Sequence, residues 1–433
     1  MEDYCVRIAF LSPLPPAPTG IADYSSDVLR LLAERHRIDV FHDQDAVELE
    51  DLPASCRVEH VDAFLPAHRE RPYDVAVYQM GNGTDHAFLY EPLARVPGLL
   101  VLHDLVLHHS RARMFLEAPE ALAYASDPGS ETRRDAAQRV LARYEDEVAY
   151  NYPAQAGRLA ATHLATVGPL LPYAYPLFRI PVEASRLTAV HNDFMAAALR
   201  AEISGAEVAR IALPANPASV TAAEVAALRS RHGIAPDEFV VGSFGLLTPE
   251  KRIETLARAV ARAAADLPRI RLLLVGPHPG HDPIEEGLAR LGLGPRSVVT
   301  GRVPLSELPA YIEAADLVVH LRYPTARETS AALLRVLAQG RPTVISDLEN
   351  LADIPADAVV RADLVDEEGE VARAILHLAA RPEARRRLGR RAADFVQREH
   401  SPELCRDGYE AALERAARLP DPPQRSWPRH WAG

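Results

Sequence analysis

The stretch FVVGSFGLLTPEKRIETLARAVARAAAD, residues 239–266, reads as a strand, a loop and a helix in immediate succession. FVVGSFG (239–245) is a short apolar, β-branched run ending on glycine, and RIETLARAVARAAAD, beyond Pro249, repeats its apolar residues at helical spacing. A buried strand feeding an amphipathic helix is half of a parallel crossover unit. Between the two lies Lys251, the only lysine among 48 basic residues. Lys251 and Arg252 fall in the loop or first helical turn, at the carboxyl edge of the sheet. A cation there opposes the helix dipole by about 0.3–1 kcal/mol, a cost that makes sense if an anion is bound. Lysine supplies a compact, rotatable point charge with three donors, where arginine offers a planar fork. A plain surface lysine is the alternative.

The same alternation runs through the rest of the chain. VRIAFLS (6–12), VAVYQMG (75–81), GLLVLHD (98–104), LTAVHN (187–192) and VARIALP (208–214) read as buried strands, with helical patterns such as GIADYSSDVLRLLAERH (20–36) between them. After a proline-containing break near 214–220 a second series begins: the opening strand, IRLLLVGP (270–277), SVVTGR (297–302), DLVVHLR (316–322) and PTVISD (342–347). Two such series predict an α/β chain with two doubly wound, Rossmann-like domains facing a cleft. The expected boundaries are 1–214 for the first domain, with a helical insertion or lid over about 110–185, and 215–400 for the second. A C-terminal helix and tail over 401–433 is expected to pack back on the first domain. Ligands of such sheets lie beyond the carboxyl ends of the strands.

The chain has 433 residues and a net charge of −12, which argues against a general nucleic-acid binder. The most basic run, RRRLGRR (385–391), reads as a solvated helix face, with an anionic surface as the alternative. Three dispersed cysteines suggest neither disulfides nor a zinc site. The start, MEDYCVRIAF, has no signal-peptide pattern, and no apolar run approaches a bilayer span. A cytoplasmic protein is expected, with membrane contact at most peripheral.

Two further junctions invite a phosphate. In SPLPPAPTGIADYS (12–25) four prolines stiffen the loop, and Gly20 opens a helix whose free N–H groups would meet an anion; a rigid connector capped by Thr19 or Gly20 is the alternative. In RYPTARETSAALLRVLAQGRPTVISD (322–347), Glu328 precedes a small apolar helix capped by Thr329 or Ser330 and closed by Gly340. That helix start is an anion cradle, and Glu328 is suited to accept hydrogen bonds from hydroxyls.

These junctions, together with HDLVLHH (103–109), resemble the retaining glycosyltransferases of the GT-B fold, specifically glycosyltransferase family 4. The resemblance spans nearly the whole chain in architecture and is sharpest over 239–347. The family's G-[RK]-x-x-x-x-K loop for the donor pyrophosphate reads GLLTPEKR here, so Gly245, Lys251 and Arg252 are implied at the donor, with Leu246 where the family carries a basic residue. The TG-x-V turn that reads the nucleobase is similar to TGRV, implying Gly301, Arg302 and Val303. GIADYS resembles the glycine loop facing phosphate and acceptor, implying Gly20 on the donor and Asp23 and Tyr24 on the acceptor. His103 looks like the family's histidine near the transferring sugar.

Of the family's two glutamates eight positions apart, Glu328 fits the first. Counting back from Ala338–Pro342, the second place falls on Arg335, which cannot accept from ribose hydroxyls and would instead pair with Glu328 or a phosphate. Asp104, at the strand end, and Asn82, in GNGTDH (81–86), are expected on the acceptor side; a simple turn also explains the latter. A metal site at His103, Asp104, His108 and His109 lacks a second carboxylate at ligand spacing, and Asp43-Gln44-Asp45 reads as a polar loop.

The resemblance implies an enzyme with Lys251, Glu328 and His103 as catalytic groups, and with Thr329, Ser330 and Arg335 at the donor. Neither metal nor cofactor is expected; a nucleotide-diphosphate sugar is co-substrate and a hydroxyl compound the acceptor, from lipid-linked or polymeric saccharides to small metabolites. Oligomeric state is left open. The rival expectation is a non-catalytic GT-B protein that binds a nucleotide or glycan, for which Leu246 and Arg335 would speak.

Overall fold

The computed structural model describes residues 5–50, 52–155, 158–159, 170–278, 284–423, 425 and 427–432. The chain divides into two compact units, one of Met1–Ile211, Ala326–Thr329 and Cys405–Gly433, the other of Ala212–Thr325 and Ser330–Leu404.

The first unit is built on β1 (Arg7–Leu11), β2 (Arg37–His42), β3 (Arg57–His60), β4 (Val75–Met80), β5 (Leu99–Leu102), β6 (Leu187–Val190) and β7 (Val208–Arg210). They form one parallel sheet in the order β3-β2-β1-β4-β5-β6-β7. Every residue of β4, β5 and β6 is buried, which is why their sequences are unbroken apolar runs: a parallel sheet is covered on both faces. The helix Gly20–Leu32 is capped by Thr19 and turns Ala22, Tyr24, Val28, Leu29 and Leu32 inward.

The second unit carries β8 (Phe239–Phe244), β9 (Ile270–Val275), β10 (Ser297–Val299), β11 (Leu317–His320), β12 (Thr343–Ser346) and β13 (Val360–Ala362), parallel in the order β10-β9-β8-β11-β12-β13. The helix Ile253–Ala263 buries Leu256, Ala257, Ala259, Val260 and Ala263. Both units are therefore doubly wound, Rossmann-like α/β domains, as the alternation predicts. In each sheet the strand order reverses at one place, between β1 and β4 and between β8 and β11.

Several details depart from the expectations. The edge strands β3 and β13 had no clear signature, because RVEH and VRA are short and only partly buried. VARIALP keeps only Val208–Arg210 as strand. The units part at Ile211/Ala212 rather than at 214, and Ala326–Thr329, expected in the second domain, belongs to the first. The cause is local: the Leu105 N–H bonds the Ala326 carbonyl at 2.9 Å, and the Asn192 side-chain amide donates to the Arg327 carbonyl and the Thr329 hydroxyl, both at 3.0 Å. The C-terminal stretch divides at Leu404/Cys405, and the part from Cys405 onward counts with the first unit.

The region expected as a helical insertion contains helices His108–Leu116, Pro119–Ser126, Glu131–Asn151, Leu171–Ala174 and Arg179–Ala184; its residues 156–157 and 160–169 lie outside those described. The buried ion pair Arg111–Glu147 ties it together, and the Trp431 indole donates to Glu147 at 2.8 Å. The RRRLGRR run lies on the helix Pro382–Glu399 with Arg386, Arg387, Arg390 and Arg391 exposed. Among the described residues, no helix is long and apolar enough to cross a membrane.

Candidate functional site

In the second unit the site is assembled where β8 and β11 meet. Beyond Phe244 the chain turns at Gly245 (φ +105°), exposes Leu246, and enters the short 3-10 turn Pro249–Lys251. Lys251 is only 6% exposed, and its Nζ lies 3.2 Å from Nε2 of His320, the last residue of β11. The Tyr323 N–H bonds the Glu250 carbonyl at 2.8 Å, tying the Lys251 turn to the chain after β11.

Gly245 marks the centre of this arrangement. A Cβ there would lie 3.9 Å from the Lys251 Nζ and 3.6 Å from the Ala332 Cβ. Ala332 stands in the first turn of the helix Ala331–Ala338, capped by Ser330, whose hydroxyl accepts from the Leu333 N–H at 3.3 Å. A buried ammonium and the amino end of a helix thus flank one bare stretch of backbone, a combination that favours an anion.

Gly276 (φ +142°) and Gly301 (φ +68°) continue the bare backbone across the carboxyl ends of β9 and β10, with the Gly276 N–H bonded to the Gly301 carbonyl at 3.0 Å. A Cβ on Gly276 would collide with the Gly245 carbonyl, whereas Gly301 faces open space. Arg302 beside it is exposed and Val303 half-buried.

One expectation changes here, and one open alternative is decided. Arg252, expected on phosphate, sits in the left-handed region (φ +51°) with its guanidinium paired to Glu367. Glu367 is buried and also accepts from the Ser346 hydroxyl at 2.5 Å, so the pair is built into the unit. Ser330, not Thr329, caps the helix; the Thr329 hydroxyl is taken by Asn192. Arg335 is half-buried one turn into that helix, while Glu328 belongs to the other unit.

In the first unit the corresponding junction lies between β1 and β4. Gly20, exposed, opens its helix behind Thr19, with Asp23 half-buried in the first turn. After β4, the Asn82 N–H bonds the Asp104 carboxylate at 2.9 Å, and its side-chain oxygen accepts from the Ser110 N–H at 3.2 Å. His86 Nδ1 lies 2.9 Å from the Gln79 carbonyl. Its Nε2 and the Asp104 carboxylate both approach Gly81, at 3.0 and 3.2 Å from where a Cβ would stand. The segment carrying Glu328 is anchored just beyond β5 and β6, through Leu105 and Asn192.

His103 and Tyr24 differ from what was expected of them. His103 is buried, its Nε2 2.8 Å from the Gln79 side-chain amide and its Nδ1 3.1 Å from His191. Both ring nitrogens are committed inside the unit. Burial, then the neighbouring His191 and His86, hold its pKa well below the usual histidine value. Tyr24, expected at the acceptor, is a core residue: α-helical phase turns it inward with Val28 and Leu29, and its hydroxyl meets that of Tyr409 at 2.8 Å. Among the described residues, no group of three His, Cys, Asp or Glu side chains is placed to hold a metal ion. His108 is engaged by the Tyr175 carbonyl and the Tyr144 hydroxyl, both at 2.6 Å, and Asp43 pairs with His60 at 3.2 Å.

His320, His191, Gln79 and Glu367 lie outside the motifs singled out in the sequence. His320 alone carried a usable signal, since it closes the strand beside the one that precedes Lys251.

Residues 238–381 match the family described as Glycosyl transferases group 1. The D-inositol 3-phosphate glycosyltransferase of Segniliparus rotundus is 33% identical over 211 residues, 45% of this chain and 45% of that protein. The chain spans about half the length of the curated relatives it matches. Among solved structures, sucrose-phosphate synthase from Thermosynechococcus elongatus is similar with a TM-score of 0.66 at 18% identity, over 95% of this chain and 98% of that one. HepE of Anabaena, in complex with UDP and glucose, is similar with a TM-score of 0.65 at 17% identity, over 94% and 99%. At these identities the structural likeness concerns the fold.

Proposed function

We propose that this chain is a group 1 glycosyltransferase, of family 4 type, that moves a sugar from a nucleoside-diphosphate sugar to a hydroxyl acceptor with retention of configuration. The observation that carries the reading is the meeting of the buried Lys251 ammonium and the Ser330-capped helix start around Gly245. Negative charge grows on the departing diphosphate as the sugar leaves, so groups aimed at it stabilise the transition state more than the ground state. The bare backbone at Gly245, Gly276 and Gly301 would let the nucleotide lie against the strand ends. The HepE complex with UDP and glucose makes UDP-sugars the first donors to test.

The acceptor would lie on the first unit, near Asn82, Asp104 and the Gly20 helix start. Glu328 would accept hydrogen bonds from sugar hydroxyls. His103 would contribute through the orientation of its buried network rather than through a free ring nitrogen. Leu246 and the pairing of Arg252 with Glu367 are the features that favour a non-catalytic protein; the retention of Lys251 with its flanking helix start favours the enzyme.

The test is a screen of sugar nucleotides for transfer and for slow donor hydrolysis. Lys251→Ala is expected to lower turnover about 100- to 1000-fold, the range for losing a group that stabilises developing charge. Undiminished turnover in that variant removes the mechanism.

A further inference from the structure

We propose that His320 is a positioning residue for Lys251, a neutral acceptor that fixes the ammonium beneath the leaving diphosphate. The proposal rests on the donor-site reading above and assigns the role to a residue outside its expected motifs.

A lysine ammonium has three donors and no acceptor, and removing it from water is costly unless its N–H groups find partners. Lys251 is 6% exposed and His320 3%, with Nζ and Nε2 3.2 Å apart. Because the ammonium can only donate, Nε2 must present its lone pair, and the ring proton sits on Nδ1. Burial, then the charges of Lys251 and Arg322, push the His320 pKa well below the usual histidine value. His320 is therefore a neutral acceptor at physiological pH.

Neutrality is what the site requires. A carboxylate in this place would cancel the lysine charge before a diphosphate arrived. An apolar residue would leave the ammonium less well fixed in a buried place. A neutral imidazole takes one N–H without adding a counter-charge of its own.

The backbone makes the placement rigid. β11 pairs with β8 so that Leu317 stands opposite Val241 and Val318 opposite Gly242. Continuing that register puts His320 level with Phe244, one residue before Gly245. The acceptor thus stands on a central strand, whereas Lys251 is on a loop. Orientation of a loop cation by a strand residue is a preorganisation device, and its loss should appear in both diphosphate affinity and turnover.

The experiment uses the full chain, UDP as the binding probe and the donor that supports turnover. Its variants are His320→Leu, His320→Gln, Lys251→Ala and the double variant His320→Leu/Lys251→Ala. His320→Leu is expected to weaken UDP binding about tenfold, the scale of one hydrogen bond to a charged group, and to lower kcat. His320→Gln, whose side-chain oxygen can serve as the acceptor, should stay within about threefold of wild type. In the Lys251→Ala background His320→Leu should have no further effect, because coupled groups are not additive.

Wild-type affinity in His320→Leu, or an undiminished loss in the Lys251→Ala background, overturns the proposal. By contrast, UDP affinity unchanged in Lys251→Ala removes the donor-site reading itself, and the His320 role with it. A measurement on the unaltered protein guards against a variant that fails to fold. Since the chain has one lysine, lysine-selective 15N labelling reports Lys251 alone. A nuclear Overhauser contact between its ammonium protons and the His320 ring protons beside Nε2 is expected; its absence also overturns the assignment.

Discussion

His103 and His191 face each other with Nδ1 of the first 3.1 Å from Nε2 of the second. On its far side His191 places Nδ1 2.9 Å from the Ile211 carbonyl, which can only accept. A neutral His191 therefore carries its proton on Nδ1 and accepts at Nε2, so His103 must donate from Nδ1. The bare Nε2 of His103 then needs a donor. The Gln79 amide lies 2.8 Å away and reaches the Tyr409 hydroxyl, at 3.0 Å, with its other end. The structure sets the Gln79 Oε1 toward His103 and its Nε2 toward Tyr409; the two ends of an amide are isosteric, and this order of donors calls for the flipped assignment, nitrogen toward His103 and oxygen toward Tyr409.

The tautomers can be read directly. Histidine 15N spectra at pH 7 should show His103 neutral with its proton on Nδ1, and His191 accepting at Nε2. Tyr409→Phe should leave this state in place, because it removes a group beyond the amide. A doubly protonated His191 would instead hold the amide the other way round and would sink the assignment.

Stability should fall with acid in two stages. Burial lowers the His86 pKa to about 4, against the raising effects of the Gln79 carbonyl and Asp85. The unfolded chain takes up that proton first, so the contribution is full above about 6.5 and lost as pH falls toward 4. Burial raises the Glu147 pKa, but the Arg111 charge and the hydrogen bonds from Arg111 and His430 bring it to about 2. Its contribution is full above about 4.5 and lost as pH falls toward 2. Urea midpoints measured from pH 7 to pH 3 should decline throughout, with His86→Asn flattening the upper stage. Glu147→Gln should cost about 3–5 kcal/mol near neutrality by leaving Arg111 buried without its counter-charge. A midpoint unchanged between pH 7 and 4.5 would contradict the His86 assignment.

The glycines at the strand ends should separate by size of effect. Gly276→Ala combines φ +142° with a collision against the Gly245 carbonyl and should cost about 3 kcal/mol or more. Gly301→Ala has φ +68° and open space around it, so about 1–2 kcal/mol is expected. Denaturant titration of both variants checks the order; equal costs would mean that the backbone at Gly276 can yield.

The parallel sheets were legible in the sequence because strands covered on both faces leave unbroken apolar runs, as in VAVYQM and LLVL. Lys251 was legible because one lysine stands out among arginines. The short, partly exposed edge strands RVEH and VRA gave no comparable signal. Local chemistry likewise left Thr329 and Ser330 as equal candidates for one helix cap, and Arg252 looked as available to phosphate as its neighbour.

Tertiary structure decided what periodicity does not encode, namely which side chains meet across long separations. Asn192 claims the Thr329 hydroxyl, and Ser330 caps the helix; Glu367, 115 residues from Arg252, pairs with its guanidinium. His320 reaches Lys251 across 69 residues because β8 and β11 are neighbours only in the folded sheet. Burial patterns are written residue by residue along the chain. Hydrogen-bond partners are chosen only when desolvation forces each buried polar group to find one.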